Sequence, residues 1–226
     1  MSSTRPVAVV VGAGPGLGLA SARAFAAAGH DVALVGRREG TLAGLAAAVE
    51  ADGHGTDVGW TALDVADSGA LAAAVERFAR HTGRLDVLHH NVSVYRPGGL
   101  GAVGPAELLE DLAVGAGSLL AAVDAARPHL AAVGGTVLLT GSGAADHPDP
   151  GALTLGPQKA AVRALLVGLA PALAAEGVHA ATLTVRGMLR PGTAFDPDRV
   201  AARLLALADE RHGPREGWTV EHEMTG

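Results

Sequence analysis

The sequence predicts a doubly wound, parallel α/β sheet in three layers, and three observations carry that prediction. Short runs of β-branched residues alternate with longer Ala/Leu-rich stretches along the chain, a rhythm that means parallel strands joined by right-handed helical crossovers. Composition agrees. Of the 226 residues 49% are hydrophobic but only 3% aromatic, so the core must be built from Ala, Val and Leu, small enough for close layer packing. Finally, a glycine-rich turn from Gly12 to Gly18 separates the first strand-like run from the first helical one.

The elements follow in order. Val7 to Val11 reads as a strand and Leu17 to Ala28 as a helix stopped by Gly29. Asp31 to Val35 is the second strand, followed by a helix over residues 41–51. Val58 to Leu63 and Leu85 to Asn91 are two more strands around a helix from Ser68 to Arg80. Two helices are expected between Pro105 and Leu130. Then come a strand at Thr136 to Thr140, a long helix at Gly156 to Ala175 and a strand at Val178 to Val185. Asp198 to Ala208 closes the helices, and Trp218 to His222 reads as an edge strand. No repeat or linker interrupts the pattern, so residues 1–226 are expected to form one domain, long enough to bury roughly 70% of its unfolded surface.

Bulk properties exclude several function classes. Without cysteine there is neither a disulfide framework nor a thiolate metal site, and His212, His222 and Glu223 are too scattered to suggest another metal site. The formal charge of −6, with no basic stripe, argues against nucleic acid. The N-terminal apolar run ends at Gly12, too early for a signal peptide. No bilayer-spanning stretch is expected, because Asp124, Arg127, Lys159 and Arg163 interrupt the apolar helices. The expectation is a cytoplasmic protein that does not bind membranes.

The turn reads Gly12-Ala13-Gly14-Pro15-Gly16-Leu17-Gly18 between a strand and a helix. In that context glycines let backbone N–H groups approach a pyrophosphate at the positive end of the helix; the bland alternative is a tight turn without ligand. Dinucleotide-binding folds often carry an acid after the second strand, which binds the ribose hydroxyls. Here Gly36 is followed by Arg37 and Arg38. Each charge-assisted arginine contact to a 2′-phosphate is worth about 1.5–3 kcal/mol, so NADP(H) is expected over NAD(H), unless the pair is merely solvated.

These residues resemble the short-chain dehydrogenase/reductase family, and the resemblance covers nearly the whole chain. Gly12, Gly16 and Gly18 match its glycine pattern, with Gly14 and Pro15 at variable positions. Asp64-Val65 matches its adenine-contacting motif, although Asp64 also reads as a helix N-cap. Asn91-Val92-Ser93 lies at its turn after the fourth strand, with Ser93 in place of a glycine. Gly187-Met188 lies where its backbone faces the nicotinamide amide. Ser142 and Lys159 keep its serine-to-lysine spacing.

The resemblance implies a Rossmann-type oxidoreductase with NADP(H), a small-molecule substrate, and a homodimer or homotetramer built through helices 118–130 and 158–175. It also exposes two departures. The catalytic tyrosine four residues before Lys159 is Leu155, and a supporting asparagine falls at about Gly115. Leucine cannot transfer a proton. Catalysis therefore falls to Ser142 and Lys159, with His147 as a substitute acid among Asp146 and Asp149, unless it is an ordinary loop histidine. Tyr95 is a further candidate; His89 and His90, ending a strand, read as core histidines. Two other functions stay open: a cofactor-binding sensor or scaffold without turnover, and a non-redox enzyme on the same fold.

Overall fold

A computed structural model describes residues 5–226 and places seven parallel strands in one sheet, in the order β3-β2-β1-β4-β5-β6-β7. The strands are β1 (Val7–Val11), β2 (Asp31–Gly36), β3 (Val58–Ala62), β4 (Val87–His90), β5 (Thr136–Ser142), β6 (His179–Val185) and β7 (Glu221–Met224). Between them run α1 (Leu17–Ala27), α2 (Glu39–Ala51), α3 (Ser68–Thr82), α4 (Pro105–Leu112), α5 (Ser118–Val133), α6 (Leu155–Ala175) and α7 (Pro197–Asp209). Seen from the chain, the strand order reverses direction between β1 and β4. A crevice forms there at the carboxyl ends of the strands, the usual ligand position in such sheets.

Period-two alternation divides the core. Ala8 and Val10 face a layer with Leu17, Phe25, Leu42 and Leu204, from α1, α2 and α7. Val9 and Val11 face the opposite layer with Leu71, Leu119, Val123 and Leu166, from α3, α5 and α6. Phe25 is the one aromatic among the largest fully buried side chains of the described residues, and aliphatic side chains fill the rest of that set.

Three differences from the expected elements have physical causes. The C-terminal strand is Glu221–Met224 rather than Trp218 to His222, because Arg215–Gly217 turns and β7 pairs Thr182 with Glu221. The fifth strand continues to Ser142, since Gly141 and Ser142 still pair with Thr184 and Val185. Between α4 and α5 the backbone winds as a π-turn, Ala113–Gly117, so the two expected helices are joined without a loop.

Contrary to the expectation of no spanning stretch, α6 is long and apolar enough to cross a bilayer, with mean hydropathy 1.2. Here it lies against the sheet, burying Val162, Leu166, Ala170 and Leu173. Only one stripe of α6 is covered, not the whole circumference. Val167 is exposed, with Leu165 and Leu169 half-buried.

Candidate functional site

The glycine-rich turn is held by the strand beside it. Gly12 and Ala13 both donate their backbone N–H to the Val35 carbonyl at 2.9 Å. Gly12 has φ +87°, and a Cβ there would lie 2.9 Å from the Asn91 backbone. A Cβ on Gly18 would lie 2.9 Å from the Ala13 Cα, so helix and turn meet backbone to backbone. Gly14 and Gly16 face open space. Such a cradle suits an anion at the start of α1. Asn91 locks it from the other side, its Nδ2 donating to the Gly12 carbonyl at 3.2 Å.

Around this turn is a cavity of about 270 Å³. It brings together Gly12, Gly14, Pro15, Arg37, Arg38, Asp64, Val65, Asn91, Val92 and Ser93, ten of the residues singled out from the sequence. Arg37 and Arg38 are exposed, and neither forms an ion pair among the described residues. Asp64 does not cap α3. Its Oδ1 accepts from the nearby Ala66 N–H, while Asp67 caps the helix by accepting from Ala70 N–H. The Asp64 carboxylate thus stays at the cavity wall.

A second cavity, about 530 Å³, continues from the first and shares Gly12, Gly14, Asn91 and Ser93 with it. Gly16, Leu17, Gly18, Ser142, Lys159, Gly187 and Met188 line it as well. Lys159 is buried at 5% exposure. Its Nζ donates to the carbonyls of Val92 at 3.0 Å and Thr140 at 3.4 Å. Burial without a carboxylate partner lowers its pKa to about 8. Ser142, at the end of β5, accepts from the Ala144 N–H at 3.2 Å, which leaves its own proton free to donate. Leu155 opens α6 and presents an apolar side chain to the same cavity, with Tyr95, Val185 and Leu189 completing its apolar walls.

His147 stands apart. It is exposed and lines a neighbouring groove that meets the main cleft at Ser142 and Gly187. The carboxylates beside it in sequence serve other partners: Asp146 accepts both guanidinium nitrogens of Arg163 and pairs with Arg186, and Asp149 accepts from the Gly151 N–H. These pairings hold Asp146 below the usual carboxylate range. His89 and His90 are fully buried on opposite faces of the sheet, bonded to Thr140 Oγ1 at 2.9 Å and Ser118 Oγ at 2.8 Å. Burial lowers both to about pKa 3, and the nearby Lys159 charge adds to the effect on His90. Neither is a proton donor near neutral pH.

The structure also adds residues that sequence reasoning passed over. Gln158 is fully buried beside Lys159, and Asp111, Thr154 and Arg96 form a hydrogen-bonded group around it. On the far wall the Phe195 ring lies under Gly187, where a Cβ would approach it to 2.1 Å, and so fixes the short segment after β6. A polar residue inside an apolar helix signals Gln158; nothing local signals Phe195.

The short chain dehydrogenase family model matches residues 6–193. Among curated relatives, the 2,5-dichloro-2,5-cyclohexadiene-1,4-diol dehydrogenase LinX of Sphingobium indicum is 31% identical over 199 residues, 86% of this chain and 77% of the relative. The short-chain reductase protein NovJ of Streptomyces niveus is 32% identical over 206 residues, 89% and 75% of the two chains. A metagenomic short-chain oxidoreductase solved in complex with NADP superposes with a TM-score of 0.84 at 26% identity, covering 98% of this chain and 97% of that one.

Proposed function

This chain belongs to the short-chain dehydrogenase family, and on that premise we propose that it is an NADP(H)-dependent oxidoreductase interconverting a carbonyl and an alcohol on a small apolar substrate. The observation that carries the cofactor choice is the unpaired Arg37–Arg38 pair at the wall of the glycine-lined cavity. Gly12, Gly14, Pro15, Gly16, Leu17 and Gly18 would hold the pyrophosphate. Arg37 and Arg38 would hold a 2′-phosphate, Asp64 and Val65 the adenine, and Asn91, Val92, Ser93, Gly187 and Met188 the nicotinamide half. When bound, the dinucleotide supplies the hydride.

The chain's own residues orient the substrate and manage charge. The Ser142 hydroxyl donates to the substrate oxygen from the end of β5. Lys159, a buried cation in a cleft with apolar walls, stabilises negative charge as it grows on that oxygen. Its pKa of about 8 also makes its proton transferable near neutral pH. Leu155 contributes no proton and lines the substrate space. His147 is the second acid to test, reaching the reaction across Ser142 from the adjoining groove. Leu17, Tyr95, Leu155, Val185 and Leu189 favour an apolar ring or chain over a sugar. The names of LinX, a cyclohexadiene diol dehydrogenase, and NovJ, a reductase, support an alcohol–carbonyl reaction. The chain is taken as one domain acting as a dimer or tetramer, with the uncovered stripe of α5 and α6, including Leu120 and Val167, as the subunit contact.

Side-by-side calorimetry with NADPH and NADH tests the reading. NADPH should bind at least about tenfold more tightly, and the Arg37→Ala/Arg38→Ala variant should lose that preference while keeping its NADH affinity. Equal affinity for both cofactors would remove the NADP(H) assignment. With a substrate in hand, Lys159→Ala and Ser142→Ala should abolish turnover; unchanged rates would place the reaction elsewhere. Leu155 favours a second reading, a cofactor-binding sensor without turnover, which predicts tight NADPH binding and no oxidation across a broad panel of ketones.

A further inference from the structure

Two neighbours on α6 grip consecutive residues of one loop. Lys159 donates to the Val92 carbonyl, while the Gln158 side-chain oxygen accepts from the Val94 N–H at 3.2 Å and from the Ser93 Oγ at 3.5 Å. The other end of the Gln158 amide donates to the Asp111 carbonyl at 3.0 Å. Asp111 is itself buried. Its carboxylate accepts from Arg96 at 3.1 and 2.8 Å and from Thr154 Oγ1 at 2.7 Å. A closed circuit results, in which the turn after β4 is tied to α4 and α4 to the start of α6.

The circuit depends on an empty position. Gly115 is the one buried residue of the π-turn between α4 and α5, and a Cβ there would stand 2.6 Å from the Gln158 Cγ and 3.2 Å from its Cδ. The glutamine therefore passes through space that any side chain at 115 would occupy. Burying an amide completely is costly unless its donors and acceptors are met, and a methionine would fill the same volume without that demand. What the amide adds is a fixed position for Ser93 and Val94. Ser93 lies on the wall shared by the glycine-lined cavity and the Lys159 cavity, and Val94 lines the first of them.

We propose that Gln158, threaded past Gly115, is a positioning residue that sets the Ser93–Val94 turn and thereby the seat of the nicotinamide half of the cofactor. The proposal rests on the dinucleotide reading above, and its test separates the two. NADPH and 2′,5′-ADP, which lacks the nicotinamide half, are titrated against wild type and Gln158→Met by calorimetry. Bound NADPH fluorescence is recorded alongside.

NADPH affinity should fall about tenfold in Gln158→Met, on the scale of a lost hydrogen bond or two, while 2′,5′-ADP stays within about twofold. The emission of bound NADPH should move toward that of free NADPH. Gly115→Ala, which leaves the glutamine in place but pushes it aside, should reproduce this pattern. In a Gln158→Ala background the same Gly115→Ala change should be silent, because the colliding Cγ and Cδ are gone.

Equal weakening of both ligands in Gln158→Met would reduce Gln158 to general stability and overturn the proposal, as would unchanged NADPH affinity. Should Gln158→Met not fold, Gly115→Ala decides alone by the same ratio. If wild type binds 2′,5′-ADP and NADPH equally, the nicotinamide half has no seat and the proposal falls while the phosphate site stands. If wild type binds neither, the cofactor reading itself has failed and takes this proposal with it.

Discussion

The two halves of the cleft are built from different materials. The glycine-lined half is mainly backbone: the Gly12–Gly18 turn, held on Val35 and locked by Asn91, within seven residues of continuous chain. The Lys159 half is made of side chains from separate elements: Ser142 on β5, Leu155 and Lys159 on α6, Met188 and Leu189 after β6. Of the positions that differ from the family pattern the sequence resembles, Leu155 lines the second cavity, Ser93 lines both, and Gly115 lies behind Gln158. A backbone cradle tolerates few substitutions because close approach forbids side chains. A side-chain constellation can be rebuilt, because a neighbouring residue can fill vacated space, as Gln158 does over Gly115.

The comparison breaks most easily at the turn. Gly18→Ala sets a Cβ 2.9 Å from the Ala13 Cα, forcing turn and helix apart. Dinucleotide affinity should fall on the order of a hundredfold, the scale of one or two lost backbone hydrogen bonds to a charged phosphate. Retained affinity in a titration would show that binding does not depend on the close approach of α1 to the turn.

Rebuilding the Lys159 half is the opposite experiment. Leu155→Tyr places a phenol in the cavity that holds Lys159 and Ser142. If the wild-type reaction lacks a positioned acid, kcat for ketone reduction should rise roughly tenfold to a hundredfold, with little change in cofactor affinity. No gain with a turned-over substrate would mean that another group already supplies the proton.

The third change is read in stability. Burial holds the Lys159 pKa at about 8, below the 10.5 of a free lysine. Between those values the unfolded chain binds the extra proton, so wild-type stability should rise with pH across that window, by at most about 3 kcal/mol. Below pH 8 both states carry the proton and the charge destabilises the fold by its full amount. Lys159→Met should flatten the rise in thermal melts taken from pH 8 to 10.5. An unaltered slope would show that the ammonium is better solvated than its burial implies.

Much of this was legible in the chain. The β-branched run Val7 to Val11 marked the first strand, and the glycine spacing marked the turn that follows it. Boundaries slipped where pairing rather than propensity decides. Gly141 and Ser142 join β5 only because β6 offers Thr184 and Val185, and the last strand begins at Glu221 because Thr182 is its partner. The partners of Asp146 could not be read either. Sequence proximity suggested His147, but Arg163 and Arg186, brought in from α6 and the end of β6, hold the carboxylate.

By itself the sequence determined the parallel layered sheet, the glycine-rich turn after the first strand, the arginine pair beyond the second strand and a leucine four residues before Lys159. Each of these is a property of neighbouring residues: a period, a turn geometry, a charge, an absent hydroxyl. Only the tertiary structure decided that Lys159 reaches the Val92 carbonyl, that Gln158 runs past Gly115 to Val94, and that Phe195 lies under Gly187. Lys159 and Gln158 meet partners tens of residues away, and even the nearer Phe195 contact depends on how the segment after β6 folds back. Strand register and helix packing fix these meetings, and no local pattern encodes them.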